Sequence, residues 1–97
     1  TLGLPIVAGT TPHEAHTLGD AEFPIFEEAA RGGKLVALGE TGLEYFHYPQ
    51  TKEIQIALFK RYLALAESLK LPVVIHCRDA FDDFFKIIDQ FKVKGVL

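Results

Sequence analysis

Cysteine is nearly absent from this sequence, and so are long apolar runs and an excess of charge of either sign. One cysteine among 97 residues cannot form an intrachain disulfide, so the cytoplasm, a reducing compartment, is the simpler expectation. No apolar run approaches the roughly 20 residues that span a bilayer, so we expect no membrane association. The net charge of −3 gives no general attraction to nucleic acid. A local basic or metal-rich groove would be needed to bind a polyanion.

Three motifs of common protein classes are also missing. The sequence has no glycine-rich phosphate loop, no nucleophile elbow and no Cys-x-x-Cys pair, which argues against nucleotide-binding, serine-hydrolase and zinc-finger proteins. The composition, 48% apolar and 24% charged, is that of a folded domain. The chain starts without methionine and ends on Gly95-Val96-Leu97, which indicates a strand just beginning. We therefore expect residues 1–97 to be a single internal fragment of a larger domain.

Predicted strands alternate with predicted helices along the chain. The clearest helix begins after Thr51, which we expect to cap it, and repeats apolar residues from Ile54 to Leu69 at helical spacing. Such alternation is typical of an α/β fold with a parallel sheet, but it does not distinguish an open doubly wound sheet from a barrel. The predicted order is strand 5–9, helix 23–31, strand 35–40, a long aromatic loop 41–49, the helix to Leu69, strand 73–76, helix 80–91 and a final strand start.

Two of the predicted strands change from apolar to polar at their carboxyl ends. One runs from Leu35 to Glu40, and the other runs from Val73 to His76. Parallel α/β sheets present catalytic groups at this edge. Because side chains alternate along a strand, we expect Leu38 and Glu40 to share the face on which His76 emerges, on strands roughly 5 Å apart. The sequence therefore predicts that Glu40 and His76 bind metal and act in catalysis.

Each of these residues also has a simpler explanation. A glutamate at a strand end often caps a helix or joins an ion pair, and a strand-end histidine often binds only backbone groups. Arg78, which follows His76 in the same loop, could clamp a phosphate through its guanidinium. Equally, Arg78 could pair with Asp79 or Asp82. Cys77 is expected to point toward the helices as a small buried hydrophobic residue.

The aromatic loop contains Tyr45, Phe46 and Tyr48. Their rings could stack an unpaired base, although covering the rim of the fold is the simpler role. His47 in the same loop is expected to be exposed. His16 lies three residues after another histidine, which by itself is a weak indication of a metal site.

Two longer segments of the sequence run from Val36 to Tyr45 and from Pro72 to Ala80. They resemble the central signatures of a known family, the metal-dependent deoxyribonucleases of the TatD family. The resemblance implies a partial (β/α)8 TIM barrel of about three βα units, because a complete barrel needs about 250 residues. It also implies that Glu40 and His76 are metal ligands, and that the family's other ligands lie outside this chain. The segments are Val36-Ala37-Leu38-Gly39-Glu40-Thr41-Gly42-Leu43-Glu44-Tyr45 and Pro72-Val73-Val74-Ile75-His76-Cys77-Arg78-Asp79-Ala80.

The upstream run from Ala8 to His13 resembles the glycine-x-His-Pro-His loop of the same family. His13 matches the second histidine of that loop and is implied to contact substrate, whereas Thr11 replaces the first. Glu44 stands where the family usually has aspartate. The charge is kept there, and the side chain is longer by one methylene.

The resemblance implies hydrolysis of phosphodiester bonds in DNA from a DNA end, with a pair of divalent ions, Mg²⁺, Mn²⁺ or Zn²⁺, in each full-length subunit. His13, Arg78 and Tyr45 would bind the substrate. Two alternatives stay open: another metal-dependent hydrolase of the same barrel superfamily acting on a cyclic amide or ester, and a non-catalytic barrel protein, which Thr11 slightly favours. We expect the isolated fragment to be inactive and poorly soluble, because its sheet edges and apolar faces would be open.

Overall fold

A computed structural model describes residues 6–96 of the chain. In this part, four strands and three helices alternate, and single 3₁₀ turns at Pro12–Glu14 and Pro49–Thr51 precede the first two helices. The ends of the first and last predicted strands, Pro5 and Leu97, lie outside the described residues. The elements are β1 (Val7–Ala8), α1 (Ala15–Arg31), β2 (Ala37–Glu44), α2 (Lys52–Leu69), β3 (Val73–Arg78), α3 (Phe81–Ile88) and β4 (Gly95–Val96).

The strands form a parallel sheet in the order β1-β2-β3-β4, so that each strand lies beside its predecessor. A doubly wound sheet reverses its strand order at a switch point, whereas a barrel adds each strand on the same side. The sequential order therefore decides between the two architectures that the sequence left open. The predicted α/β fold, a partial TIM barrel with a parallel sheet, is confirmed.

Helix α2 follows the apolar spacing that predicted it. It ends at Lys70, which takes a left-handed conformation with φ 57° and is followed two residues later by Pro72. Two details of the prediction are wrong: Thr51 makes no capping bond to the helix backbone, and Ile54 is exposed because it lies beside the stripe that packs on the sheet. The buried core is made of apolar side chains from the sheet and from α1, α2 and α3, among them Phe23, Leu38, Leu43, Phe59, Leu63, Ala66, Val73, Ile75 and Phe84.

Strand β2 is longer than predicted and takes up the first part of the expected aromatic loop. Backbone pairing with β3 continues through Gly42 to Glu44, opposite His76 and Arg78. Gly42 permits this close approach, because a Cβ at its position would overlap the carbonyl oxygen of His76. The loop prediction was wrong because two glycines in a strand reduce its apparent β propensity.

The first and last helices also differ from their predictions. Helix α1 begins at Ala15, eight residues before the predicted start. In this added part Gly19 lies close to Leu58 of α2, since a Cβ at its position would be 3.0 Å from that side chain. Helix α3 ends at Ile88, three residues before the predicted end, and two of its phenylalanines are exposed, Phe81 and Phe85. None of the helices within residues 6–96 is both long enough and apolar enough to cross a bilayer.

Candidate metal centre at the ends of two strands

The pairing of β2 with β3 fixes which side chains share a face of the sheet. Leu38 pairs with Val73, and both are fully buried against the helices. Because side chains alternate along β3, His76 lies on the opposite face from Val73, away from the helices. Gly42 is its partner on β2. The face away from the helices therefore carries the polar residues of the strand ends.

Glu40 occupies an irregular position in β2. Gly39 pairs with Val74 and Thr41 pairs with Ile75, so Glu40 is an extra residue in a β-bulge. The expectation that Leu38 shares the face of His76 is therefore wrong, because Leu38 pairs with Val73 on the opposite face and the alternation of side chains is interrupted at the bulge. Leu38 is buried, and Glu40 is exposed. The role of Glu40 as a metal ligand stays a prediction.

Three histidines surround the carboxylate of Glu44 instead. Its Oε1 atom lies 3.3 Å from His76 Nε2, 3.4 Å from His47 Nδ1 and 3.7 Å from His13 Nε2. The ring centroids of His13 and His76 are 5.2 Å apart. Glu44 is 1% exposed, whereas the histidines are between 32% and 51% exposed. The structure therefore brings the predicted residues His13 and His76 together around a carboxylate that the sequence reading did not place among the site residues.

Hydrogen bonds keep Glu44 ionised. Burial alone would raise its pKa, but the bonds from the backbone N–H of His47 and from the side chains of His76 and His47 outweigh burial and lower the pKa to about 2. The N–H of His47 donates to Oε2 at 2.9 Å, so the carboxylate is held with Oε1 toward the imidazoles. At neutral pH the Glu44 side chain is therefore a carboxylate with a fixed negative charge.

Gln55 on α2 fixes the strand end that carries Glu44. The backbone N–H of Glu44 donates to Gln55 Oε1 at 2.7 Å, and Gln55 Nε2 donates to the carbonyl oxygen of Glu44 at 3.0 Å. The same Nε2 also donates to the Tyr48 carbonyl and to Thr51 Oγ1. One fully buried amide thus joins the strand, the following loop and the start of α2.

A second buried network holds the loop that carries His13. Thr10 Oγ1 donates to Glu22 Oε1 at 2.9 Å and lies 2.8 Å from the hydroxyl of Tyr62. Since Thr10 has a single hydroxyl hydrogen, the Tyr62 hydroxyl is the donor to it. Thr10 and Tyr62 are almost completely buried, so this network ties the end of β1 to α1 and α2.

Arg78 lies at the same edge as the histidine cluster, paired in register with Glu44. Its guanidinium lies over the ring of Phe46, 4.2 Å from the centroid. Among the residues that the structure describes, it forms no ion pair with Asp79 or Asp82. Phe46 is 55% exposed. The guanidinium is thus held by an aromatic face, which leaves its N–H donors available to an anion.

Tyr45 lies away from the histidine cluster. Its hydroxyl donates to Asp83 at 2.7 Å, and Lys52 Nζ lies 4.7 Å from its ring centroid. Burial, followed by the hydrogen bond to Asp83, raises the pKa of Tyr45.

Cys77 packs against the core, on the helix side as expected, and burial raises the pKa of its thiol.

The sequence reading did not identify Gln55 and did not assign His47 or Glu44 to the site. The burial of Gln55 could have been predicted from the sequence, because Gln55 shares a helical stripe with the buried residues Phe59, Tyr62 and Ala66. A polar residue at such a position needs internal hydrogen bonds. His47 lies only three residues after Glu44. The meeting of Glu44 with His13 and His76 had no comparable local signal, since it depends on contacts between distant segments.

The histidine cluster has the composition of a metal site. His13, Glu44 and His47 each offer one ligand atom, and these three atoms lie within 4.8 Å of one another. Imidazole nitrogen with carboxylate oxygen is a common donor set for zinc and related ions.

Comparison with known proteins places these residues in a wider group. Residues 3–97 match the family described as TatD related DNase. The chain is 38% identical over 92 residues to the 3′-5′ ssDNA/RNA exonuclease TatD of Klebsiella pneumoniae, covering 93% of this chain and 35% of that protein. It is 41% identical over 85 residues to the 3′-5′ RNA nuclease TATDN2 of Homo sapiens, covering 86% and 11% of the two chains.

A solved structure agrees with this match. The TatD homologue YjjV of Escherichia coli superposes with a TM-score of 0.80 and 29% identity, over 93% of this chain and 36% of that one. The chain therefore spans about a third or less of the length of these relatives.

Proposed function

This chain belongs to the TatD-related DNase family, and on that premise we propose that its protein hydrolyses phosphodiester bonds in DNA from a strand end, with the help of divalent metal ions. The relatives at this similarity are nucleases and metal-dependent hydrolases. The observation that carries the proposal is the edge shared by β2 and β3. There, His76 and Arg78 pair in register with Gly42 and Glu44, on the face away from the helices.

The predicted ligands fit a divalent ion by their chemistry. Glu40 offers an exposed carboxylate on the bulge, and His76 offers a half-buried imidazole. Since His76 Nε2 faces Glu44, its Nδ1 is the atom left for an ion. When bound, Mg²⁺, Mn²⁺ or Zn²⁺ polarises phosphoryl oxygens and lowers the pKa of bound water. We propose that Glu44 orients the imidazole of His76, as carboxylates commonly do for histidine ligands.

The substrate is bound, in this proposal, by the groups around the ligands. Arg78 offers its guanidinium to a phosphate, in a position held by the ring of Phe46. His13 contributes a further nitrogen donor at the same edge. Tyr45 acts only indirectly, by anchoring the loop of Phe46 and His47 through its bond to Asp83. The cytoplasm as the site of action stays a prediction.

The test uses the full-length protein and two variants of the predicted ligands. Metal-stripped protein is reloaded with Mg²⁺, Mn²⁺ or Zn²⁺ and incubated with end-labelled single-stranded DNA, with RNA of the same sequence and with a cyclic amide. We expect metal-dependent release of mononucleotides from DNA, and a loss of at least about 100-fold in Glu40→Gln and His76→Ala, since metal assistance contributes several kcal/mol. Glu53→Gln, an exposed glutamate at the start of α2, is the matched control.

Three results would count against this proposal. Unchanged nuclease activity in Glu40→Gln would remove Glu40 from the site. Hydrolysis of the cyclic amide without nuclease activity would favour the other hydrolases of the superfamily. Cleavage of RNA but not DNA would correct the substrate.

A further inference from the structure

We propose that His13, Glu44 and His47 form a zinc site of their own, separate from the predicted ligands Glu40 and His76. The cluster contributes two imidazole nitrogens and one carboxylate oxygen. This inference goes beyond the nuclease function and does not depend on it, because metal content can be measured without a substrate.

Two of the three distances within the cluster are close to those around a tetrahedral ion, and all three ligand atoms lie within 4.8 Å of one another. Ligand atoms bound at about 2.0–2.1 Å around tetrahedral zinc lie about 3.3 Å from one another. Glu44 Oε1 lies 3.4 Å from His47 Nδ1 and 3.7 Å from His13 Nε2. Side-chain shifts of a few tenths of an ångström would therefore bring these two pairs to ligand spacing.

The carboxylate is already held for this role. Glu44 Oε2 accepts the backbone N–H of His47, which leaves Oε1 toward the imidazoles of His47 and His13 and toward His76 Nε2, its nearest neighbour at 3.3 Å. Gln55 bonds the backbone of Glu44 on both sides and also holds the carbonyl of Tyr48, the residue after His47. Such outer hydrogen bonds fix the orientation of ligands and raise metal affinity. His47 is 51% exposed, so an ion can reach the buried carboxylate from solvent.

The donor set also indicates which ion binds. Mg²⁺ and Ca²⁺ prefer oxygen ligands, whereas two imidazoles with one carboxylate favour zinc. Three protein ligands leave a fourth position for water or a substrate oxygen.

The experiment counts bound zinc in the full-length protein. Metal-stripped wild type and variants are dialysed against zinc, bound metal is measured by mass spectrometry, and Co²⁺ in place of zinc reports tetrahedral coordination by its visible absorption. We expect His47→Ala and Glu44→Gln to lose one equivalent of zinc, or at least about tenfold in affinity. Glu40→Gln should keep that equivalent. His16→Ala is the control, because His16 is exposed and contacts Tyr48 rather than Glu44.

Two results would overturn the site. The first is a His47→Ala protein that binds as much zinc as the wild type with the same affinity. The second is loss of the same equivalent in Glu40→Gln as in His47→Ala, which would make the two sites one. His47 is half exposed, so its variant is expected to fold even if Glu44→Gln does not. Inactivity toward DNA has no bearing on either result, so failure of the nuclease proposal can be recognised separately.

Discussion

Replacement of Gln55 by leucine should destabilise the protein far more than its position on a regular helix would indicate. The buried N–H and C=O of Glu44 both lose their partner in this variant. An unpaired buried polar group costs about 1–3 kcal/mol, so the two groups together predict a loss of about 2–6 kcal/mol. Since domains are stable by about 5–15 kcal/mol, this is a large fraction of the total.

Urea denaturation of the full-length protein measures the effect, and hydrogen exchange locates it. We expect a lower midpoint for Gln55→Leu and faster exchange of the Glu44 amide. Gln55→Glu keeps an acceptor for that amide but loses the donors to the carbonyls of Glu44 and Tyr48, so it should also be destabilised. Gln90→Leu is the control, because Gln90 lies just beyond α3 and its side chain bonds only the exposed carbonyl of Lys86. This variant should change stability by no more than about 0.5 kcal/mol.

A Gln55→Leu protein within about 0.5 kcal/mol of wild type would refute this reasoning. It would mean that the strand end and the loop carrying His47 are held by other contacts. Normal stability together with fast exchange of the Glu44 amide would limit the role of Gln55 to the local loop.

Three further predictions concern other parts of the structure. Gly42→Ala should lower the free energy of unfolding by at least about 2 kcal/mol in urea denaturation, because φ of 144° is strained for alanine and the new Cβ overlaps the backbone of His76. Gly33→Ala is the control and should cost less, because Gly33 has φ of 76° but open space around it. Equal losses in the two variants would show that the overlap with His76 contributes nothing. Because the pKa of Tyr45 is raised in the folded protein, the contribution of its hydroxyl to stability is complete below the unfolded-state pKa near 10 and decreases as the pH rises above that value. Tyr45→Phe should therefore flatten the alkaline decrease in melting temperature. An unchanged slope would contradict this expectation. Cys77 should react with iodoacetamide at least about tenfold more slowly in the native than in the urea-unfolded protein, and equal rates would show that its thiol is accessible.

The regular elements were predictable because their patterns are local. Helix α2 repeats apolar residues every three or four positions, and β3 is a β-branched run, so each could be read from a short window of sequence. The bulge at Glu40 could not be read in this way, because the extra residue is defined by the pairing of β2 with β3. The sequential strand order likewise required contacts between distant segments.

The candidate site was only partly predictable for the same reason. His76 could be identified because an apolar strand ends there, and His13 entered through a family resemblance. The central residue, Glu44, was predicted to lie in a loop. Two of its three histidine neighbours, His13 and His76, lie 31 residues earlier and 32 residues later in the chain. Only the folded chain brings such distant groups within 4 Å.

The bulge has a consequence for how this fold tolerates change. Leu38 and Leu43 are five positions apart, and strict alternation would place them on opposite sides of β2. The extra residue between them, Glu40, allows the side chains of both leucines to pack against the helices. The extra residue at position 40 is therefore required by the strand, but the identity of its exposed side chain is not. Its chemistry could be altered or lost in a descendant while the packing of the strand on either side stayed the same.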